Sequence, residues 1–200
     1  TIDKAKCIGC GSCLPVCPVG AIRQPLLNPE RLDADLRALL PSREVAPEPR
    51  ILLLVADGGP PVDEPNGLPC LPLPSIGAVS PWLLLRAFTL GADGIAILPC
   101  RPGCRHRCDQ TRWEQTLRLA RELLTRFGIE VERLGVVPRE TPEHQPGLKA
   151  FSEQIALLGP HRLRAGGGLK TKEALSLASL LQGLAALAPL GGGVHEVMGQ

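Results

Sequence analysis

Cys7, Cys10, Cys13 and Cys17, with Pro18 directly after, form a C-x2-C-x2-C-x3-C-P run, and no other feature narrows the fold as much. Two-residue gaps force a tight loop that turns several sulfurs toward one centre, as an iron–sulfur cube requires of its thiolates. Gly9 and Gly11 stand between the ligands, where the backbone must wrap closely and positive φ is expected. Pro18 directs the chain away after the fourth thiolate. Ile2-Asp3 reads as a short strand entering the loop, and Val19-Gly20-Ala21-Ile22 as one leaving it. Zinc also takes paired cysteines, but ordinarily as two separated C-x2-C pairs. A [4Fe–4S] cluster on Cys7, Cys10, Cys13 and Cys17 is therefore expected, with structural zinc as the alternative.

The run is that of a bacterial-type ferredoxin loop. In two-cluster ferredoxins the cysteine before the proline ligates the other cube. One such run is present and the chain opens at Thr1. This reads as the second half of a two-cluster module, with the first half lost upstream. The competing reading is a single cube held by Cys7, Cys10, Cys13 and a remote or non-protein ligand.

Composition sets the outer limits. A hydrophobic share of 44% builds a core, but aromatics are 2% and tyrosine is absent, so that core must be aliphatic. A net charge of +2 gives no case for nucleic acid, and few rings remain on which single strands could stack. Eight cysteines would suit a secreted disulfide scaffold. Half of them, however, lie in a run that needs reduced thiols, and no signal peptide is evident. A cytoplasmic protein is expected.

Residues 1–24 read as the cluster module and 25–50 as a loosely packed linker, with one helical patch at Leu32–Leu40. Residues 51–165 read as an α/β domain. Ile51–Val55 and Gly94–Leu98 are continuous apolar runs bounded by turn residues, the pattern of strands buried on both faces. Val131–Val137 is a further strand. Helices are expected at Pro81–Leu90, Thr111–Phe127 and Leu148–Leu158, with Leu117, Leu119, Leu123 and Leu124 on the buried side of the second. Alternation of strand and helix implies a parallel sheet. Residues 166–200 read as a leucine-rich helix at 171–190 between two Gly-Gly-Gly joints, a packing or partner-docking helix rather than a membrane span.

Cys70, Cys100, Cys104 and Cys108 form a second set. Cys100 falls at the carboxyl end of a buried strand, where open α/β sheets place their sites. Cys104 and Cys108 follow in a loop compacted by Pro102 and Gly103, and Cys70 is expected to reach the same edge. Four thiolates there suffice for a [2Fe–2S] or [4Fe–4S] cluster, or for zinc; the alternative is buried free thiols. Arg101, Arg105 and Arg107 surround the set and would favour the reduced state of a cluster. His106 reads as exposed rather than ligating.

The run Leu90-Gly91-Ala92-Asp93-Gly94-Ile95, followed by Cys100, Gly103 and Cys104, resembles the iron–sulfur (delta) subunit of methyl-viologen-reducing hydrogenase. That family also occurs as a domain fused to heterodisulfide-reductase-type flavoproteins. The similarity continues through Gly128-Ile129-Glu130, Glu132-Arg133-Leu134, Phe151 and Leu158-Gly159-Pro160, covering roughly residues 50–165. It implies a [2Fe–2S] cluster and electron relay between a hydrogenase or dehydrogenase and a flavin-containing reductase. The family's cysteine pair after the first strand is missing from Ala56-Asp57-Gly58-Gly59-Pro60, and its Cys-His step is replaced by Cys104-Arg105-His106. Either Cys108 compensates for a lost ligand, or the site holds a different cluster or none.

No substrate chemistry is legible. Asp93 and Asp109 stand alone, and no nucleophile–histidine–acid pattern surrounds Ser75 or Ser80. The leading expectation is an electron-transfer component of a hetero-oligomeric complex or larger chain, without a membrane span. The alternatives are a zinc-stabilised scaffold carrying a ferredoxin module and a redox sensor that responds by losing its cluster.

Overall fold

The computed structural model describes residues 2–3, 5–15, 17, 21–40, 49–56, 67–101, 103–104, 106, 110–138 and 144–161. Cys108 and the expected helix at 171–190 lie outside them.

Four strands, β1 (Ile51–Ala56), β2 (Cys70–Leu73), β3 (Gly94–Leu98) and β4 (Leu134–Val136), form one sheet in the order β2-β1-β3-β4. All three pairings are parallel. The helices are α1 (Pro29–Leu39), α2 (Pro81–Thr89), α3 (Gln110–Arg126) and α4 (His144–Leu158). Leu52 and Leu54 of β1 and Ile95 and Ile97 of β3 face α1, α2 and α3, while Ile51, Leu53, Val55, Ala96 and Leu98 face α4. Alternation along each strand thus feeds two layers, which is why these strands carry no polar position.

The expected α/β architecture is the one found, with local differences that have physical reasons. β2 was not legible because Pro72 lies within it. It is an edge strand with Pro72 exposed, and an edge tolerates the missing donor. The strand expected over 131–137 is shortened, since Val131–Arg133 form a 3-10 turn. In α3 the buried positions are Leu117, Ala120 and Leu124, whereas Leu119 is 44% exposed, out of phase with the 3.6-residue period. Ile2-Asp3 is not a strand: the Asp3 side chain accepts from Ala5 N and its carbonyl from Cys7 N, closing a turn. Ala21-Ile22 is not a strand either.

The stretch expected to pack loosely carries α1, which belongs to the core. Asn28 caps it by accepting from Arg31 N at 2.7 Å, and Pro29 starts its first turn. Leu32, Leu36 and Leu40 are buried against the sheet-facing cluster. Asp33 takes Arg37 of its own helix at 2.7 Å and Arg86 of α2, joining the two helices. Burial opposes ionisation of Asp33, but the Arg86 and Arg37 hydrogen bonds prevail and hold its carboxyl below the ordinary range.

α4 lies close on the sheet because Gly94 and Gly135 leave room for it. A Cβ at Gly135 would stand 2.6 Å from the Phe151 ring. Gly135→Ala is expected to destabilise the fold by about 2 kcal/mol through overpacking; a denaturation midpoint equal to wild type would contradict this contact.

Behind α4, Arg133 is fully buried and donates to the carbonyls of Asp93 at 3.0 Å and Gly159 at 2.8 Å, and to Glu130 at 2.7 Å. Asp93, isolated in the sequence, accepts from Arg50 N at 2.9 Å and pins the start of β3 to that of β1. His161 is 1% exposed and meets Phe88 edge-on. Burial, then the nearby Arg133 charge, pushes its imidazole down from 6.5 to about 4. The unfolded chain therefore binds this proton first as pH falls. The contribution is complete above pH 6.5 and is lost on acidification toward pH 4. Its size is on the order of 3 kcal/mol. Urea titrations from pH 7 to 4 are expected to show this slope, and a His161→Leu variant to lack it.

Candidate metal centres on the carboxyl edge of the sheet

The amino-terminal loop is built by turns rather than strands. Gly9 and Gly11 take φ of 70° and 77°, the left-handed conformation their positions demand. Leu14 N donates to Gly11 O and Cys17 N to Leu14 O, folding the loop back on itself. Cys7 and Cys13 are exposed, while Cys10 and Cys17 are half-buried. Ala21 N points at Cys17 Sγ, 3.3 Å away, as a donor to a thiolate would. Burial raises the Cys13 thiol, and the nearby Cys10, Cys7 and Cys17 charges raise it further. Bound iron would offset that crowding of like charges. The donor set thus fits a thiolate-ligated cluster at Cys7, Cys10, Cys13 and Cys17.

Ser75 fastens this loop to the sheet. The residue is fully buried just beyond β2, donating to Cys10 O at 2.7 Å and accepting from Gly77 N at 3.1 Å. A Cβ on Gly77 would collide with Ser12, and one on Gly11 would lie 2.6 Å from Leu27, so the loop sits flush against the domain. Ser80 has a separate structural task, capping α2 by accepting from Leu83 N at 3.2 Å. Ser75→Ala is expected to cost about 1 kcal/mol and to speed iron loss in air, followed as bleaching. An unchanged bleaching rate would show that the clamp does not matter to the loop.

The second site forms where β3 ends. Parallel connections from β1 and β3 diverge at this edge, the topological switch point of an open sheet. Cys100 lies two residues past β3, and Cys104 N donates to Arg101 O across a turn closed by Gly103 at φ 76°. Cys100, Cys104 and His106 hold their ligand atoms within 4.8 Å of one another. His106 is not the exposed residue expected of a charged loop: it is 6% exposed, and its Nδ1 has no hydrogen-bond partner among the described residues. Its sequence signal was the C-x3-C-x-H spacing.

Cys70 does not join them. It opens β2, level with Leu53, which is level with Ala96, so Cys100 lies four residues farther along the strand direction. Cys70 also packs with the α4-side cluster and Cys100 with the opposite one. Cys70 is not among the residues whose ligand atoms gather with that of Cys100. Cys108 lies outside the described residues.

Among the described residues no helix is long and apolar enough to cross a membrane. Residues 59–159 match the family model of the methyl-viologen-reducing hydrogenase delta subunit, and residues 1–23 match a 4Fe-4S binding domain. The chain is similar to the iron-sulfur subunit of the vhc F420-non-reducing hydrogenase of Methanococcus voltae, 29% identical over 46% of this chain and 67% of the relative. It is 30% identical to the iron-sulfur subunit of the vhu F420-non-reducing hydrogenase of Methanocaldococcus jannaschii, over 46% of this chain and 72% of the relative. Against the F420-non-reducing hydrogenase iron-sulfur subunit of Archaeoglobus profundus identity is 32%, over 45% of this chain and 69% of the relative. With residues 59–159, half of its length, matched by the family model, the chain belongs to the methyl-viologen-reducing hydrogenase delta-subunit family.

Proposed function

We propose that this chain is an iron–sulfur electron-transfer component of a hetero-oligomeric oxidoreductase. It passes electrons between a hydrogenase or dehydrogenase and a flavin-containing, heterodisulfide-reductase-type partner. The observation that carries the reading is the four-cysteine loop clamped to the α/β domain through Ser75 and Cys10.

A [4Fe–4S] cluster, when bound, supplies one-electron chemistry. The residues supply position and access. Cys7, Cys10, Cys13 and Cys17 would hold the cluster, and Gly9 and Gly11 supply the positive φ that the loop's turns need. Exposure of Cys7 and Cys13, with Ile8 between the first two ligands, leaves one side open to a redox partner. The buried Ser75 contact holds Cys10, and with it the loop, against the domain. No side chain is asked to attack, protonate or bind a substrate.

The partner assignment is tested by anaerobic mixing with a reduced hydrogenase of the family's type under hydrogen, then with the flavin-containing reductase. Bleaching of the cluster absorption followed by its recovery is expected. A cluster that dithionite reduces but hydrogenase does not would overturn the assignment while leaving the cluster itself in place.

A further inference from the structure

The bond between Ser75 and the cysteine loop has a polarity as well as a grip. Its hydroxyl is fully buried, lies 3.1 Å from Gly77 N and 2.7 Å from the Cys10 carbonyl oxygen, and belongs to a segment 65 positions away from Cys10 in the chain. A carbonyl can only accept and a backbone N–H can only donate, so the direction of both bonds is fixed. Three dipoles are thereby aligned, from Gly77 N–H through Ser75 O–H to Cys10 C=O, each with its positive end toward the loop. Hydrogen bonds in such a chain polarise one another, and burial leaves them poorly screened.

The chain of dipoles ends on a ligand residue. Donation to Cys10 O draws electron density through the peptide unit that joins Cys10 to Gly11, leaving the N–H of that unit more positive within the loop. This loop is where negative charge gathers, since the charges of Cys10, Cys7 and Cys17 already raise the Cys13 thiol. A cluster that takes up one electron adds one more negative charge, with no bond made to Ser75. Donors and positive dipole ends directed at the loop favour that reduced state over the oxidised one.

We infer that Ser75 is a positioning residue that raises the reduction potential of the cluster on Cys7, Cys10, Cys13 and Cys17, acting through the Cys10 carbonyl. The α/β domain thus sets how readily the amino-terminal loop accepts an electron, in addition to holding it in place. This rests on the reading of that loop as a cluster site, whichever partners the cluster serves.

Anaerobic redox titration of the full chain with dye mediators, read by EPR, tests this without any protein partner. Ser75→Ala is expected to lower the potential, so that the reduced-to-oxidised ratio at the wild-type midpoint falls at least about threefold, or about 28 mV at 59 mV per tenfold for one electron. Ser75→Thr keeps a hydroxyl and is expected to keep the wild-type potential. Leu14→Ala controls for loosening, because the Leu14 side chain seats the loop on the core by packing. Faster bleaching with an unshifted potential is expected of it. An unshifted or raised potential in Ser75→Ala overturns the inference, and so does an equal shift in Leu14→Ala. A cluster that titrates as expected in all variants but exchanges no electrons with the hydrogenase contradicts the partner reading alone. An unaltered chain that binds no cluster contradicts both.

Discussion

Cys13→Ser is expected to strip the amino-terminal loop of its cluster, with more than about tenfold loss of bound iron and of electron-transfer rate. Partial burial of the Cys13 sulfur, then the charges of Cys10, Cys7 and Cys17, raise its thiol, so its neighbours act on it. A serine hydroxyl at that position stays protonated near neutral pH and offers iron a poor ligand. The remaining thiolates then carry an incomplete cube open to solvent on the side of exposed Cys7. The fold should persist, because the core under the sheet is built from α1, α2 and α3 and, among the described residues of the loop, receives Leu14 alone. Visible absorption and iron content measured beside far-ultraviolet circular dichroism check this. Retained absorption with full iron would remove Cys13 from the ligand set.

Arg133→Leu is expected to cost about 3 kcal/mol, the largest loss of stability among single substitutions outside the apolar core. The guanidinium is fully buried and satisfies the carbonyls of Asp93 and Gly159, thereby tying the end of α4 to the start of β3. Leucine fills much of the space but leaves those acceptors without donors, at about 1–3 kcal/mol each when they stay dry. Glu130 loses its partner as well, yet its 44% exposure lets water take over. The Glu130 carboxyl, held low chiefly by the Arg133 hydrogen bond, should rise toward the ordinary carboxylate range. A fall in Tm of about 10 °C is the expected readout. A loss below about 1 kcal/mol would mean the carbonyls find water.

Much of this molecule is legible in its sequence where one residue type answers one physical demand. Ile51–Ala56 and Gly94–Leu98 are apolar throughout because each face of the sheet is covered, and no other short element reads that way. The amino-terminal loop is legible because ligand spacing is set by chemistry rather than by packing. β2 was hidden by Pro72, whose tolerance depends on an edge position that only the sheet order reveals. The register that sets Cys70 level with Leu53 is likewise visible only in the sheet. His106 was misjudged because burial of a loop histidine depends on where β3 and α3 bring the chain back. The charges around it, Arg101, Arg105 and Arg107, suggested solvent.

Metal stoichiometry decides whether this chain carries electrons. Iron, sulfide and zinc should be measured on anaerobically purified protein, with EPR after reduction. The predicted result is iron and sulfide for at least one cube, with a reduced-cluster signal. Protein carrying neither iron nor sulfide after anaerobic reconstitution, with no signal on reduction, would contradict the electron-transfer function outright.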